Sequence, residues 1–297
     1  MRDEGSVSKK PNIRKQITEG KVALKELMSE HLAEIADSII SRVMTKLADL
    51  PESRRMNAIV DITPVGQASY KEQLLEAMAF IASDALEQVR KEIPNGKRVK
   101  LAEWNEHGVQ LGEYESLPVA VRNKISKGAF LLFDTQLADL QKAIFFQFSH
   151  SVDSTDSMDL IRADLEEAAE DYVTGNAIEA GAGSIAAQVV NDTRTEFLDS
   201  DEAKDEIEAY EFVNGDPVSP ICQDLAGTVF DKDDPNRFRY TPPLHFNCKS
   251  YIVPILKGNL GRREIQKLAP SSKKLEDSIQ FSESVCCGGH VHISKPE

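Results

Sequence analysis

The sequence predicts a mainly α fold, with an N-terminal helical bundle followed by a small C-terminal α+β domain built on a Cys/His knuckle. Three observations predict it. Apolar residues recur at three- and four-residue spacing through the first two thirds of the chain, short apolar runs broken by Pro, Gly and Asp follow, and Cys222, His245 and Cys248 gather in that second region. With 297 residues and 41% hydrophobic content, the chain can bury a substantial core in one large domain or two ordinary ones.

The first helix carries Leu24, Met28, Leu32, Ile35, Ile39, Val43, Leu47 and Leu50, a single stripe that Pro51 terminates. A second helix is expected over 68–92, with Leu74, Met78, Ile81, Ala85 and Val89 on one side and a turn at Pro94-Asn95-Gly96. A third begins after Pro118 and runs to about His150. Its stripe of Val121, Ile125, Ala129, Leu132, Leu140, Ile144 and Phe148 is joined by Phe130, Phe133, Phe145 and Phe146, so it should lie centrally or meet a partner. The Ser/Asp-rich stretch 149–157 is expected to break the pattern before an acidic helix over 158–174. Gly175, Gly181 and Gly183 then read as a flexible joint, and a further helix over 184–198 leads into the knuckle. Three regions result: a helical domain over 1–176, the knuckle domain over 184–256, and a basic, flexible tail over 257–297.

Composition excludes several classes. No apolar run approaches the ~20 residues of a membrane helix, and Met1-Arg2-Asp3-Glu4-Gly5 lacks the apolar core of a signal peptide, so a cytosolic protein without a membrane partner is expected. Four cysteines, two of them adjacent at Cys286-Cys287, do not form the spread framework of a disulfide-stapled domain. A net charge of -14 argues against coating duplex DNA. Locally, though, Lys257, Arg262, Arg263, Lys267, Lys273 and Lys274 face only Glu264, a run that could touch packaged DNA or simply be solvated. The acidic residues from Asp199 to Glu208 read as an exposed face or loop. Phosphate loops, nucleophile elbows and His-Glu-x-x-His helices are missing from the sequence, and no enzymatic activity is expected.

The chemistry concentrates in Pro242-Pro243-Leu244-His245-Phe246-Asn247-Cys248-Lys249-Ser250. Two prolines fix an extended approach, a His-x-x-Cys pair follows, and Tyr251-Ile252-Val253-Pro254-Ile255 reads as a short strand. Upstream stand Arg194-Thr195-Glu196 near a helix end, Tyr210-Glu211-Phe212-Val213 as a strand, Cys222, and Leu225-Ala226-Gly227 as a turn before Thr228-Val229-Phe230. The acidic turn after Phe230 reads as disordered. A hairpin-like pairing of Thr228-Val229-Phe230 with Tyr251-Ile252-Val253 would bring His245 and Cys248 back to Cys222. Arg194 and Glu196, two apart on a helix, should each tie it to a different neighbour.

In the order and spacing of these parts, residues 190–256 resemble the Mu-F-like phage head morphogenesis proteins, minor head proteins found beside the portal. The resemblance implies a non-enzymatic minor capsid protein that assists head assembly or DNA packaging and ejection, with portal and capsid proteins as partners. It also implies a location inside the virion capsid, and in the host cytoplasm during assembly. Many members of the family carry Cys-x-x-Cys before the turn and Cys-x-Cys after the histidine. Here Ser219 and Ser250 stand at the outer positions. The remaining Cys222, His245 and Cys248 could hold zinc with water or a fourth residue completing the set, or form a reduced thiol pair packed beneath a Pro-rich turn. Two other classes stay open: a zinc- or Cys/His-dependent hydrolase on the knuckle, and a DNA-binding module using residues 257–274. The terminal Cys286-Cys287-Gly288-Gly289-His290-Val291-His292 cluster has ligand residue types but reads as a mobile tail.

Overall fold

Helix α1, Ile13–Ala48, follows directly from its apolar spacing: Ile13, Ile17, Gly20, Leu24, Met28, Leu32, Ile35, Ile39, Val43 and Leu47 form one buried stripe. Each large side chain so buried contributes about 1.5–3 kcal/mol from the removal of apolar surface from water. The computed structural model describes residues 13–55, 58, 60, 62–64, 67–93, 117–154, 157–215, 219–245 and 248–269. After Pro51 come a single turn, α2 (Glu52–Arg55), and α3 (Gln67–Glu92). Next are α4 (Val119–Ser154), α5 (Met158–Thr174) and α6 (Asn176–Leu198). Helix α1 packs against α3, α5 and α6, α3 packs also on α4 and α6, and α4 meets α5 and α6. A polar thread crosses this bundle: the Tyr70 hydroxyl donates to Gln136 Oε1 at 2.7 Å, and the Tyr172 hydroxyl to the Gln136 carbonyl at 3.0 Å. The fold is mainly α with a small C-terminal antiparallel sheet.

Two expectations about the helical part are corrected. Residues 149–154 do not break the third helix, since Val152 and Ser151 are buried on the same face as Phe148. The glycine joint is helical instead. Helix α6 runs unbroken through Gly181 and Gly183, and only Gly175, with extended backbone at φ −69 and ψ 165, separates it from α5. Ala182, Gly183, Ala186, Ala187 and Val190 make a buried small-residue face on α6, which lets the neighbouring helices approach closely. At Gly20 the approach is tight enough that a Cβ would sit 2.9 Å from Ile81 Cδ1 and 3.4 Å from Ala186 Cβ.

Beyond α6, a 3-10 turn at Lys204–Glu206 leads into β1 (Ile207–Val213). There follow α7 (Pro220–Leu225), β2 (Val229–Asp231), α8 (Arg237–Tyr240) and β3 (Tyr251–Leu256). The sheet order is β2-β1-β3, with Tyr210 opposite Phe230 on one side and Phe212 opposite Ile252 on the other. The expected pairing of residues 228–230 with 251–253 is therefore overturned. Strand β1 lies between them, because its buried Ile207, Ala209, Tyr210 and Phe212 suit a central strand that gives both edges away. The juxtaposition that the hairpin was to explain is achieved nonetheless.

The acidic turn after β2 is ordered rather than disordered. Asp231 Oδ1 accepts from the Asp233 amide and Asp234 Oδ1 from the Asn236 amide, both at 2.8 Å, while Asp234 Oδ2 accepts from the Leu268 amide at 3.0 Å. The beginning of the tail is docked as well. Leu268 is buried, the Gln266 amide donates to the Val229 carbonyl at 2.7 Å, and the Tyr240 hydroxyl donates to the Ala269 carbonyl. Residues 270–297, with Lys273, Lys274 and the Cys286-Cys287 cluster, lie outside the described residues, as do Trp104 and His107.

Helix α6 lies along the outer edge of β3. Its Asn191 Nδ2 donates to the Ser250 carbonyl at 3.2 Å and its Arg194 Nη2 to the Ile252 carbonyl at 3.4 Å, so two side chains three apart on a helix satisfy one carbonyl just before β3 and one within it. Arg194 is also bidentate with Glu92 at the end of α3, at 2.6 and 2.9 Å, whereas Glu196 pairs with Lys124 of α4 at 2.7 Å. The two residues thus tie α6 to different neighbours. Buried apolar side chains form one contiguous cluster that runs from the helices to Phe212, Phe230, Cys222, Cys248 and Ile252.

Candidate metal centre

Cys222 is placed by a short helix whose start is written in the sequence. Ser219 is the N-cap of α7, its Oγ accepting from the Cys222 amide at 3.4 Å, and Pro220 occupies the first helical position, where its missing N–H costs nothing. His245 and Cys248 come from the other side. Pro242-Pro243 is joined by a cis peptide bond, Leu244 is buried beyond it, and the Cys248 amide donates to the His245 carbonyl at 3.2 Å. That turn presents both side chains to α7.

The three predicted ligands converge. Cys222 Sγ lies 3.2 Å from His245 Nε2 and 3.8 Å from Cys248 Sγ, and the three donor atoms all fall within 4.8 Å of one another. Zinc with bonds of about 2.3 Å to sulfur and 2.0–2.1 Å to nitrogen, in a tetrahedron, spaces two sulfurs by about 3.8 Å and sulfur from nitrogen by about 3.6 Å. The donor set and its spacing therefore fit the ion, with a fourth position left for water or another group. Both cysteines are free thiols with no exposed surface, and His245 is half-buried.

The proton between the sulfurs is held unequally. The hydrogen bond from Cys222 draws the Cys248 thiol down to about 7 against the effect of burial, aided by the backbone of Leu244 and Ser250 and by the Ser250 hydroxyl. The same hydrogen bond, with burial, pushes the Cys222 thiol up to about 12. Such a pair has one sulfur ready to act as a ligand and one that must release its proton when a metal arrives.

Ser219 and Ser250 take no ligand position in the sequence reading, yet both position the site. Ser250 is fully buried, and its Oγ accepts from the Gly215 amide at 3.2 Å. Gly215 brings the exit of β1 against residues 249 and 250 so closely that a Cβ there would overlap the Lys249 carbonyl. The Ser-Pro pair before Cys222 was the legible signal for the cap. Nothing in the sequence signals Gly215 or Glu92 as partners. Of the basic run, Lys257, Arg262, Arg263 and Lys267 are exposed and stand away from the cysteines, with Arg263 3.6 Å from Glu211 of β1. Among the described residues no helix is long and apolar enough to cross a membrane. The chain matches no protein-family model, no curated protein and no solved structure.

Proposed function

We propose that this is a phage minor head protein that assists head assembly, or DNA packaging and ejection, near the portal. In this reading Cys222, His245 and Cys248 hold zinc as a structural staple of its C-terminal module. The observation that carries the reading is the convergence of those three side chains, in the order and spacing in which residues 190–256 resemble the Mu-F-like proteins. The staple would join α7 to the turn before β3. Zinc held by Cys222, His245 and Cys248 would supply a Lewis-acidic cross-link, with both sulfurs as thiolates. His245 orients toward Cys222, and Ser250 is held by Gly215 against the sulfurs. The long helices, with Phe145 and Phe146 exposed on α4, offer surface to portal or capsid subunits, and exposed Lys257, Arg262, Arg263 and Lys267 could meet packaged DNA.

One contact favours a Cys/His hydrolase, the 3.2 Å approach of Cys222 Sγ to His245 Nε2. Against it, neither Cys222 nor Cys248 has any exposed surface, and the Cys222 thiol, the one in contact with the imidazole, is pushed up to about 12, the opposite of an activated nucleophile. Antiserum to the purified chain should label proheads or virions from cells carrying the gene, inside the capsid rather than on it. Absence from both particles, together with hydrolase activity lost in His245→Ala, would overturn the assembly reading in favour of the enzyme. For the staple, metal analysis of the purified chain should give one zinc per molecule, lost in His245→Ala.

A further inference from the structure

We infer that Cys222 and Cys248 are a disulfide-forming pair, so that the knuckle carries a convertible cross-link: zinc-held while the thiols are reduced, and covalent once they are oxidised. The inference rests on the reading of these residues as the staple between α7 and the turn before β3. Its basis is geometric. The two sulfurs are 3.8 Å apart, both are free, and they are the only cysteines among the described residues, so each has one intramolecular partner within reach there. A bond needs an approach to about 2.05 Å from sulfurs that already touch. The residues are 26 apart, so the bond would close a loop long enough to restrict the unfolded chain appreciably.

The oxidant is a peroxide. One cysteine sulfur attacks a peroxide oxygen, the O–O bond breaks, and a sulfenic acid forms while the departing hydroxide takes up a proton to become water. The second sulfur then attacks the sulfenic sulfur, the S–S bond forms, and the expelled hydroxide takes the second thiol proton as another water. Two thiols are thereby oxidised by two electrons and one hydrogen peroxide is reduced to two waters. Where zinc holds both sulfurs as thiolates, the two hydroxides would take their protons from solvent instead, and the zinc would leave as the free ion because neither sulfur retains a thiolate. Both sulfurs are buried and His245 beside Cys222 is half-buried, so a local opening at that side is the step that would admit peroxide. A protein assembled in a reducing cytosol and released in particles to an oxidising exterior would keep its knuckle closed in both places.

The experiment uses the full chain carrying Cys286→Ser and Cys287→Ser, so that only this pair can react. Treatment with a small excess of hydrogen peroxide should remove both free thiols, join the Cys222 and Cys248 peptides in a non-reducing digest, and release zinc to a colorimetric chelator in step with thiol loss. The thermal midpoint should stay at or above that of the reduced, chelator-treated protein. Dithiothreitol should restore both thiols and zinc uptake. Oxidation that stops at sulfinic or sulfonic acids, or that yields only intermolecular dimers, would overturn the inference. Should the serine variant fail to fold, the same digest on the unaltered chain decides, since a Cys222–Cys248 peptide either appears or does not. Failure here leaves the particle-labelling result untouched, and absence from particles leaves the peptide map untouched.

Discussion

Replacing Arg194 by methionine tests the joint between the bundle and the sheet. Methionine keeps most of the side-chain stem, so the loss is chiefly electrostatic. Arg194 is 1% exposed and its Glu92 partner 14% exposed, which leaves a nearly buried carboxylate without its counter-charge in Arg194→Met. Removing one partner of a buried pair costs about 3–5 kcal/mol, and the partial exposure of Glu92 places the cost near the lower end. The Ile252 carbonyl also loses a donor, adding about 1 kcal/mol. A total of about 3–4 kcal/mol is expected. Since the Arg194 Nε is already without a partner, the pair is not fully compensated even in the native protein. The double variant Arg194→Met/Glu92→Met should therefore recover to within about 1 kcal/mol of the unaltered chain, because an apolar replacement removes both charges at once. Urea unfolding followed by far-UV circular dichroism gives the three stabilities, and the double variant should be about 2–3 kcal/mol more stable than the single one. A single variant within about 0.5 kcal/mol of the parent, or a double variant no more stable than the single, would refute the argument.

Gly215→Ala should displace residues 249 and 250 and abolish stoichiometric zinc binding while leaving the helical signal in circular dichroism nearly intact; a variant that binds zinc normally would show that the close approach does not position the ligands. Gly20→Ala gains about 1 kcal/mol of helix propensity but forces Ile81 aside at a cost of about 1–3 kcal/mol, so a lower urea midpoint is expected, and a raised one would mean that α3 yields freely. Glu179 is hydrogen-bonded to Lys21 and Lys25, which hold its carboxyl down at about 2 against an ordinary 4.5. A depressed carboxylate adds stability that is present above pH 4.5 and is lost as pH falls toward about 2. The stability gap between the parent and Glu179→Gln should accordingly narrow over that interval, and a gap that stays constant with pH would remove this contact from the acid response.

The legible parts of the molecule were those that depend on local chemistry. Large apolar residues at helical spacing marked α3, α4 and α5 almost to their ends, and Pro51 and Pro118 marked boundaries because proline acts on its immediate neighbours. The Cys222, His245 and Cys248 cluster was legible because each residue type has its own affinity for metal. Small residues misled: Gly181 and Gly183 read as a joint, yet glycine buried between helices and glycine in a loop look the same until the neighbouring helix is known. Strand order was beyond local reading, since β2 and β3 are both short runs with apolar residues and only the tertiary position of β1 decides which edge each one takes. Glu92 as the counter-charge of Arg194, 102 residues away, has no local signature at all.

The covering of β3 by α6 limits how this polypeptide can be divided. A truncation beginning at residue 184 would retain Asn191 and Arg194 but discard Glu92, carrying a guanidinium designed for burial into a fragment with no carboxylate to receive it. One beginning after Leu198 would leave the carbonyls of Ser250 and Ile252 bare along a strand with an apolar face, the kind of edge that recruits a second strand from another molecule. Either piece should self-associate or stay insoluble. The minimal unit carrying the Cys/His cluster with its buried contacts intact therefore includes α3 as well as α6, and binding work on the knuckle is best begun from the whole chain.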